Sequence, residues 1–117
     1  MQRKQIIFDL DTNVAKIILG QKYNNIYQQI RKYMLKNDFT HIEGSSYMSN
    51  KALSEFDLYN IIDGLIEEIP CLEKCCRDMR VTNISRVHSL NYLFDYDGTP
   101  GKYAQNENDE YYDDFEM

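Results

Sequence analysis

The order of strand-like and helix-like patterns predicts an α+β domain in which an antiparallel sheet carries two helices on one face. Three observations support this prediction. Apolar and polar residues alternate over residues 5–11, as in a half-buried strand. Apolar residues recur every three or four positions over residues 23–36 and 53–69, as in amphipathic helices. Strand-like stretches at residues 39–49 and 74–84 follow the two helices.

The first predicted strand ends in two carboxylates. Every second side chain from Ile6 to Leu10 is apolar, and Asp9 and Asp11 lie on the opposite face. The strand therefore has one face suited to a core and one face that carries acidic groups at its C-terminal end.

The two helical segments have different boundary signals. Residues 23–36 follow a connection that is expected to break at Gly20. Residues 53–69 have the most continuous apolar stripe in the chain. Ser54 is the expected N-cap of this second helix, and Asp57 takes the place of the usual glutamate in a capping box.

The remaining stretches complete the order β-α-β-β-α-β. Residues 39–49 contain two strand-like pieces on either side of Gly44, where glycine permits a bulge or a tight bend. Residues 74–84 alternate as a strand, residues 85–94 have an ambiguous pattern that suits a short helix, and residues 97–101 have turn chemistry. This order is the ferredoxin-like arrangement, an antiparallel sheet with both helices on one face.

The net charge of −6 is unevenly distributed along the 117 residues. All 13 Lys and Arg residues lie between Arg3 and Lys102, and six acidic residues without a base follow Lys102. The rest of the chain is therefore neutral overall, which neither requires nor excludes a nucleic-acid partner. The sequence predicts one domain over residues 1–103 and an acidic, disordered tail over residues 104–117.

Apolar runs and cysteines indicate the cellular compartment. No stretch approaches the roughly 20 apolar residues of a membrane span, and the N-terminal run is too short for a signal peptide. We therefore expect a cytoplasmic protein without a membrane partner. Cys71, Cys75 and Cys76 are odd in number and lack a second ligand pair at zinc spacing, so we interpret them as buried or half-buried thiols.

Several charged residues are candidates for chemistry, and each has a structural alternative. Asp9 and Asp11 can bind a divalent cation or act as a general base, or they can form turn contacts. Asp78 and Arg80 share one face of their strand, with Arg77 on the other face. They fit either a cross-strand ion pair or a phosphate clamp. From position alone, the structural alternative is favoured in both cases.

Hydroxyl and imidazole groups give weaker signals. The hydroxyls of Ser45 and Ser46 follow Gly44 and can contact phosphate, although an ordinary bend explains the same residues. His41 and His88 are the only histidines, and nothing in their spacing brings them to one phosphate. A two-histidine mechanism is therefore not expected.

Four segments, in this order, resemble the virulence-associated protein D (VapD) family. They are residues 8–11 (FDLD), 23–27 (YNNIY), 39 with 44–47 (GSSY) and 76–81 (CRDMRV). Residues 88–90 (HSL) and 97–103 (DGTPGKY) are similar to one branch of the family. The likeness covers about residues 5–103.

The resemblance implies a ferredoxin-like homodimer that acts as an endoribonuclease on single-stranded RNA or mRNA. It also implies kinship with the small nuclease-like subunit of the CRISPR spacer-integration complex. Some members are toxins of toxin–antitoxin modules, so an antitoxin protein is an implied partner. By position, the catalytic residues that the resemblance implies are Asp9, Ser45 and Asp78. Ser46, which could share the role of Ser45, and the strand residues Arg77 and Arg80 are our candidate RNA-binding residues, and Asp9 is the candidate ligand for Mg²⁺.

Two alternatives to an RNA endonuclease remain at this point. The first is a non-catalytic dimeric module that binds a protein or RNA, and it fits the neutral body of the chain. The second is a nuclease that acts on DNA. The family positions favour the ribonuclease hypothesis over both.

Overall fold

The computed structural model describes residues 1–105, which form two compact units, Met1–Val87 and a second unit that begins at His88. The first unit is α+β, as predicted. Its elements are β1 (Arg3–Leu10), α1 (Thr12–Leu19), a 3-10 helix (Gly20–Asn25), α2 (Ile26–Lys36), β2 (Phe39–Glu43), β3 (Ser46–Ser49), α3 (Glu55–Glu68), α4 (Leu72–Cys75) and β4 (Cys76–Ile84). Residues 106–117, most of the predicted acidic tail, lie outside the described residues.

The four strands form one antiparallel sheet in the order β2-β3-β1-β4. The strand nearest the N-terminus, β1, is therefore central, and it pairs with β3 on one side and β4 on the other. This order is consistent with the ferredoxin-like arrangement expected from the sequence.

The core lies between one face of the sheet and the helices α2 and α3. The alternation in β1 points Ile6, Phe8 and Leu10 into this core, where each is at most 6% exposed. Buried residues of both helices belong to the same cluster, so both helices cover the same face. They are Ile26, Ile30 and Met34 from α2, and Leu58 and Leu65 from α3. The helices of the first unit all pack on this face, so none of them covers the opposite, uncovered face of the sheet.

The segment after β1 is a helix, α1, whereas the sequence predicts only a connection there. Asp11 is its N-cap and accepts a hydrogen bond from the backbone N–H of Val14 at 3.1 Å. Gly20 ends α1 with a φ of +61°, so the break predicted at this glycine is confirmed. The next helix begins later than predicted because residues 20–25 form a 3-10 helix.

Local signals at α3 and between β2 and β3 correspond to the observed structure. The Ser54 hydroxyl accepts a hydrogen bond from the Asp57 N–H at 3.0 Å, which is the N-cap half of the predicted capping box. Gly44 has a φ of +47°, a left-handed conformation that favours glycine. This glycine lets β2 turn tightly into β3.

The predicted short helix over residues 85–94 is wrong. Only a 3-10 turn at Asn91–Leu93 forms there. A turn does occur at Asp97, whose carboxylate accepts hydrogen bonds from the N–H and hydroxyl of Thr99. Within residues 1–105, no helix has the length and apolar character needed to cross a bilayer.

Candidate functional site

Two carboxylates face each other on the uncovered side of the sheet. Asp9 of β1 is directly opposite Asp78 of β4 in the antiparallel register. Side chains in such a pair have Cβ atoms about 4.5–5.5 Å apart, and like charges placed there repel each other. A cation close to each carboxylate would offset this repulsion.

Arg77 compensates the Asp9 carboxylate through a β-bulge. Asp9 pairs with Asp78 but Leu10 pairs with Cys76, so Arg77 is an extra residue without a partner on β1. Its Nε donates to Asp9 Oδ2 at 3.0 Å. The expectation that Arg77 lies on the opposite face from Asp78 is therefore wrong, because the bulge interrupts the alternation on which it was based.

Arg80 compensates the second carboxylate. Its Nε donates to Asp78 Oδ2 at 3.0 Å, and the two residues are neighbours on one face of β4, as predicted. The cluster of Asp9, Asp78, Arg77 and Arg80 is thus electrically neutral. These side chains are 49–80% exposed, so each ion pair contributes only about 0–1 kcal/mol and opens readily.

Asp11 has a structural role at the edge of this cluster. One of its carboxylate oxygens caps α1, and the other lies 3.9 Å from Nη1 of Arg77. The backbone N–H of Asp11 also donates to the carbonyl of Cys75 at 2.7 Å. Asp11 therefore fixes the end of β1 and adds to the negative charge around Arg77.

The two serines lie beside the same end of β1. The carbonyl of Ser45 accepts a hydrogen bond from the N–H of Phe8 at 3.1 Å, which places Ser45 next to the strand position that precedes Asp9. Ser46 is opposite Ile7 in the register, and its hydroxyl accepts a hydrogen bond from the Gln5 amide at 3.1 Å. The sheet thus brings the Gly-Ser turn and the carboxylate pair to neighbouring positions.

The two histidines belong to different units of the chain. His41 Nε2 lies 2.7 Å from the Gly44 carbonyl oxygen, and the ring packs against Tyr47 with centroids 4.8 Å apart. His41 therefore supports the β2–β3 turn. His88 belongs to the second unit.

Tyr27 of α2 interacts electrostatically with Asp9 of this cluster. The sequence pattern does not reveal this interaction. Burial raises the pKa of its hydroxyl above 10.0, and the negative charge of Asp9 adds to the shift. Tyr27 therefore stays a neutral phenol that can donate a hydrogen bond at physiological pH. Its place in the YNNIY segment was a signal, but helical spacing alone identified it only as a neighbour of the apolar stripe.

The cysteines match their interpretation as structural thiols. All three are free, with Cys75 buried and Cys71 and Cys76 half-buried. Burial is the main cause that raises the pKa of Cys75 to about 11 and that of Cys76 above its usual value. Cys75 and Cys76 therefore remain protonated at neutral pH and are weak nucleophiles.

The site supplies only part of the ligand set that a divalent metal needs. Asp9 and Asp78 offer the oxygen ligands that Mg²⁺ prefers. Each carboxylate already accepts an arginine N–H at 3.0 Å, however. Within residues 1–105, no three His, Cys, Asp or Glu side chains converge as a metal cluster. A bound Mg²⁺ would therefore take most of its ligands from water and substrate phosphate.

The chain is similar in sequence to two curated proteins. It is 28% identical over 86 residues to Endoribonuclease VapD 2 of Riemerella anatipestifer, an alignment that covers 73% of this chain and 92% of that protein. It is 27% identical over 85 residues to Endoribonuclease VapD homolog of Helicobacter pylori, with 73% and 88% covered. No protein-family model matches the chain.

Proposed function

Because the chain belongs to the VapD family, we propose that it is an endoribonuclease that cleaves single-stranded RNA or mRNA. One observation carries the proposal beyond the family name. Asp9 and Asp78 oppose each other on the uncovered face of the sheet, and each is paired with an arginine. Cleavage of a phosphodiester needs a proton acceptor and cations that hold the phosphate, and this cluster contains both.

In the proposed reaction, Asp9 is the general base. It accepts the proton of a ribose 2′-hydroxyl while the 2′-oxygen forms a bond to the adjacent phosphorus. The bond from phosphorus to the 5′-oxygen of the next nucleotide breaks, and that oxygen takes a proton from water. Since DNA lacks the 2′-hydroxyl, this route spares DNA.

The neighbouring residues bind and orient the phosphate in this proposal. Ser45 is assigned to position the phosphate, and Asp78 is assigned to orient Arg80. Arg77, Arg80 and Ser46 are the proposed contacts to RNA. Support comes from the exposure of both ion pairs, because a phosphate can replace a weakly held carboxylate as the partner of an exposed guanidinium.

A metal-assisted route remains part of the proposal. Asp9 is the residue that would hold Mg²⁺, with water and phosphate oxygens as the other ligands. The ion would supply charge stabilisation to the phosphate oxygens. Arg77, which now neutralises Asp9 from 3.0 Å, would then turn toward the substrate.

We also propose that the working unit is a homodimer with Asp9 of each subunit near the two-fold axis. The uncovered face of the sheet supports this hypothesis, because Ile7 and Ile42 on that face are about half exposed, at 49% and 48%. As a member of a toxin–antitoxin module, the enzyme would act in the cytoplasm and be held inactive by an antitoxin protein.

The experiment compares the wild-type protein with Asp9→Asn on a mixed RNA and a matched DNA, with Mg²⁺ and with EDTA. Removal of a general base lowers a rate by roughly 10²- to 10⁴-fold, so the variant should show almost no RNA cleavage. Asp63→Asn is the matched control, because Asp63 is an exposed carboxylate on α3. It should cleave RNA at the wild-type rate.

Each outcome has a distinct meaning. RNA cleavage that is lost only in Asp9→Asn supports the ribonuclease and its base. Full activity in Asp9→Asn would remove Asp9 from the mechanism. Absence of cleavage in every condition would favour the non-catalytic binding module, and cleavage of the DNA would favour the alternative nuclease.

A further inference from the structure

One segment of the first unit is strongly basic. Residues 12–37, which include α1, the 3-10 helix and α2, contain five Lys or Arg residues and no Asp or Glu, although the whole chain has a net charge of −6. Bases without acids give a surface a local positive potential that attracts polyanions. The helix-covered side of the sheet therefore differs in charge from the rest of the protein.

Four lysines line two adjoining depressions on this side. Lys32 and Lys36 line the first, between α2 and the C-terminal end of α3. Lys22 of the 3-10 helix and Lys74 of α4 line the second. These four residues are the lysine strip. The two depressions form one continuous surface because they share lining residues, which are Gln29, Glu68 and Ile69.

The lysines of the strip are not used in ion pairs of the fold. All four are exposed, and the ion pairs found within residues 1–105 involve other bases. Lys32 and Lys36 are four residues apart on α2, where like charges repel each other. Glu68 is the one acidic residue that lines either depression. The strip therefore has an excess of positive charge that is available to a ligand.

We propose that the lysine strip binds phosphates of the single-stranded RNA that flanks the cleavage site. The proposal rests on the proposed function and names the surface that holds the substrate away from the reacting bond. Single-stranded nucleic acids are bound without base preference by positively charged grooves that follow the backbone. The amide of Gln29, in the middle of the surface, is a further donor for phosphate oxygens.

The strip adjoins the proposed catalytic cluster. Helix α4 runs directly into β4, an edge strand of the sheet. Lys74 lies three residues before Arg77, so their Cα atoms are at most about 11 Å apart. Arg77 in turn contacts Asp9. An extended chain of phosphates can therefore pass from the cluster to the strip, which favours RNA over a compact acidic protein as the ligand.

The strip also stays accessible in the proposed homodimer. The helices pack on the core-facing side of the sheet, whereas the proposed contact between subunits is the uncovered face that carries Ile7 and Ile42. Each dimer therefore presents two lysine strips, one on each subunit.

The test measures binding of a single-stranded RNA of about 12 nucleotides by fluorescence anisotropy. The protein carries Asp9→Asn, so that cleavage does not interfere. For single strands, the logarithm of the binding constant falls with the logarithm of the salt concentration by about 0.7 per phosphate contact. Loss of two contacts in Lys32→Gln/Lys36→Gln should therefore reduce this slope by about 1.4 and weaken binding about 25-fold at about 0.1 M salt.

A charge-removing variant and a control separate the effect of charge from folding. Glu68→Gln should tighten binding by up to about 5-fold, a gain that a misfolded protein does not produce. Lys51→Gln is the matched control, because Lys51 is an exposed lysine outside both depressions and pairs with Asp38 at 3.8 Å. It should leave affinity and slope unchanged. Unchanged affinity and slope in Lys32→Gln/Lys36→Gln would overturn the proposal and direct the search to an acidic protein partner.

Cleavage distinguishes this proposal from the proposed function. With Asp9 intact, Lys32→Gln/Lys36→Gln should raise KM for the longer RNA and leave kcat unchanged. Cleavage of an RNA of about three nucleotides, too short to cover the strip, should not change. Lysine-dependent RNA binding without cleavage by the wild-type protein would keep the strip and reject the endoribonuclease. Cleavage of the longer RNA with the same KM in both proteins would keep the endoribonuclease and reject the strip.

Discussion

Replacing Gly64 by alanine tests the contact between α2 and α3. A Cβ built at Gly64 overlaps the hydroxyl of Tyr33, and the ring carbon that bears this hydroxyl lies 3.4 Å away. The same hydroxyl donates to the carbonyl of Ile61 at 2.7 Å. Glycine therefore lets the tyrosine of α2 reach the backbone of α3.

The expected magnitude follows from three contributions. Alanine in place of glycine favours the helix by about 1 kcal/mol. Displacing Tyr33 from Ile61 loses a hydrogen bond of about 0.5–1.5 kcal/mol, and crowding in a packed contact costs about 1–3 kcal/mol. The Gly64→Ala variant should therefore be less stable than the wild type by about 0.5–3.5 kcal/mol.

The assay is urea unfolding, read as a shift of the midpoint at constant slope. Tyr33→Phe is the control, because it removes the hydroxyl that meets the new methyl group. In the Tyr33→Phe background, Gly64→Ala should become stabilising by up to about 1 kcal/mol. A Gly64→Ala protein that is more stable than the wild type would refute the proposed close contact.

Two further predictions concern the sheet and the thiol next to it. Ser49→Ala should cost about 1–3 kcal/mol in urea unfolding, because the buried Ser49 hydroxyl accepts from the Lys4 N–H at 2.9 Å and its loss leaves that donor unpaired. Ser46→Ala, at a half-exposed site, should cost less, and equal losses would contradict this account. The free energy of unfolding should fall as pH rises from about 9 to about 11, because folded Cys75 keeps its proton up to a pKa of about 11 while the unfolded thiol loses it earlier. Cys75→Ala should show a smaller fall over that interval, and an identical pH profile would exclude the thiol as its cause.

The sequence predicted those parts of the fold that local patterns determine. The alternation in β1 identified the core-facing side chains Ile6, Phe8 and Leu10, and all three are buried. The same alternation does not reveal α1, because it places Asp11 at the end of a strand. Asp11 is also the N-cap of α1, and an Asp directly before an apolar helical pattern is the signal that predicts such a helix.

The site depends on pairing between distant segments, which local patterns do not contain. Asp9 and Asp78 could be selected one by one, but their direct opposition follows from the register of β1 and β4. The contact from Arg77 to Asp9 depends on a bulge, and strict alternation placed Arg77 on the wrong face. Ile42 is likewise an extra residue of β2 because of a register shift that only the pairing with β3 reveals.

The central position of β1 has a consequence for synthesis on the ribosome. This strand is made first, but its neighbours are β3 and β4, which end at Ser49 and Ile84. At about 5–20 residues per second, translation from the end of β1 to the end of β4 takes about 4–15 s. During that time the apolar face of β1 has no complete sheet to join, so we expect chaperones that bind extended apolar segments to recognise the nascent chain. Slower translation over residues 50–84 should therefore lower the yield of folded protein more than slower translation after residue 84.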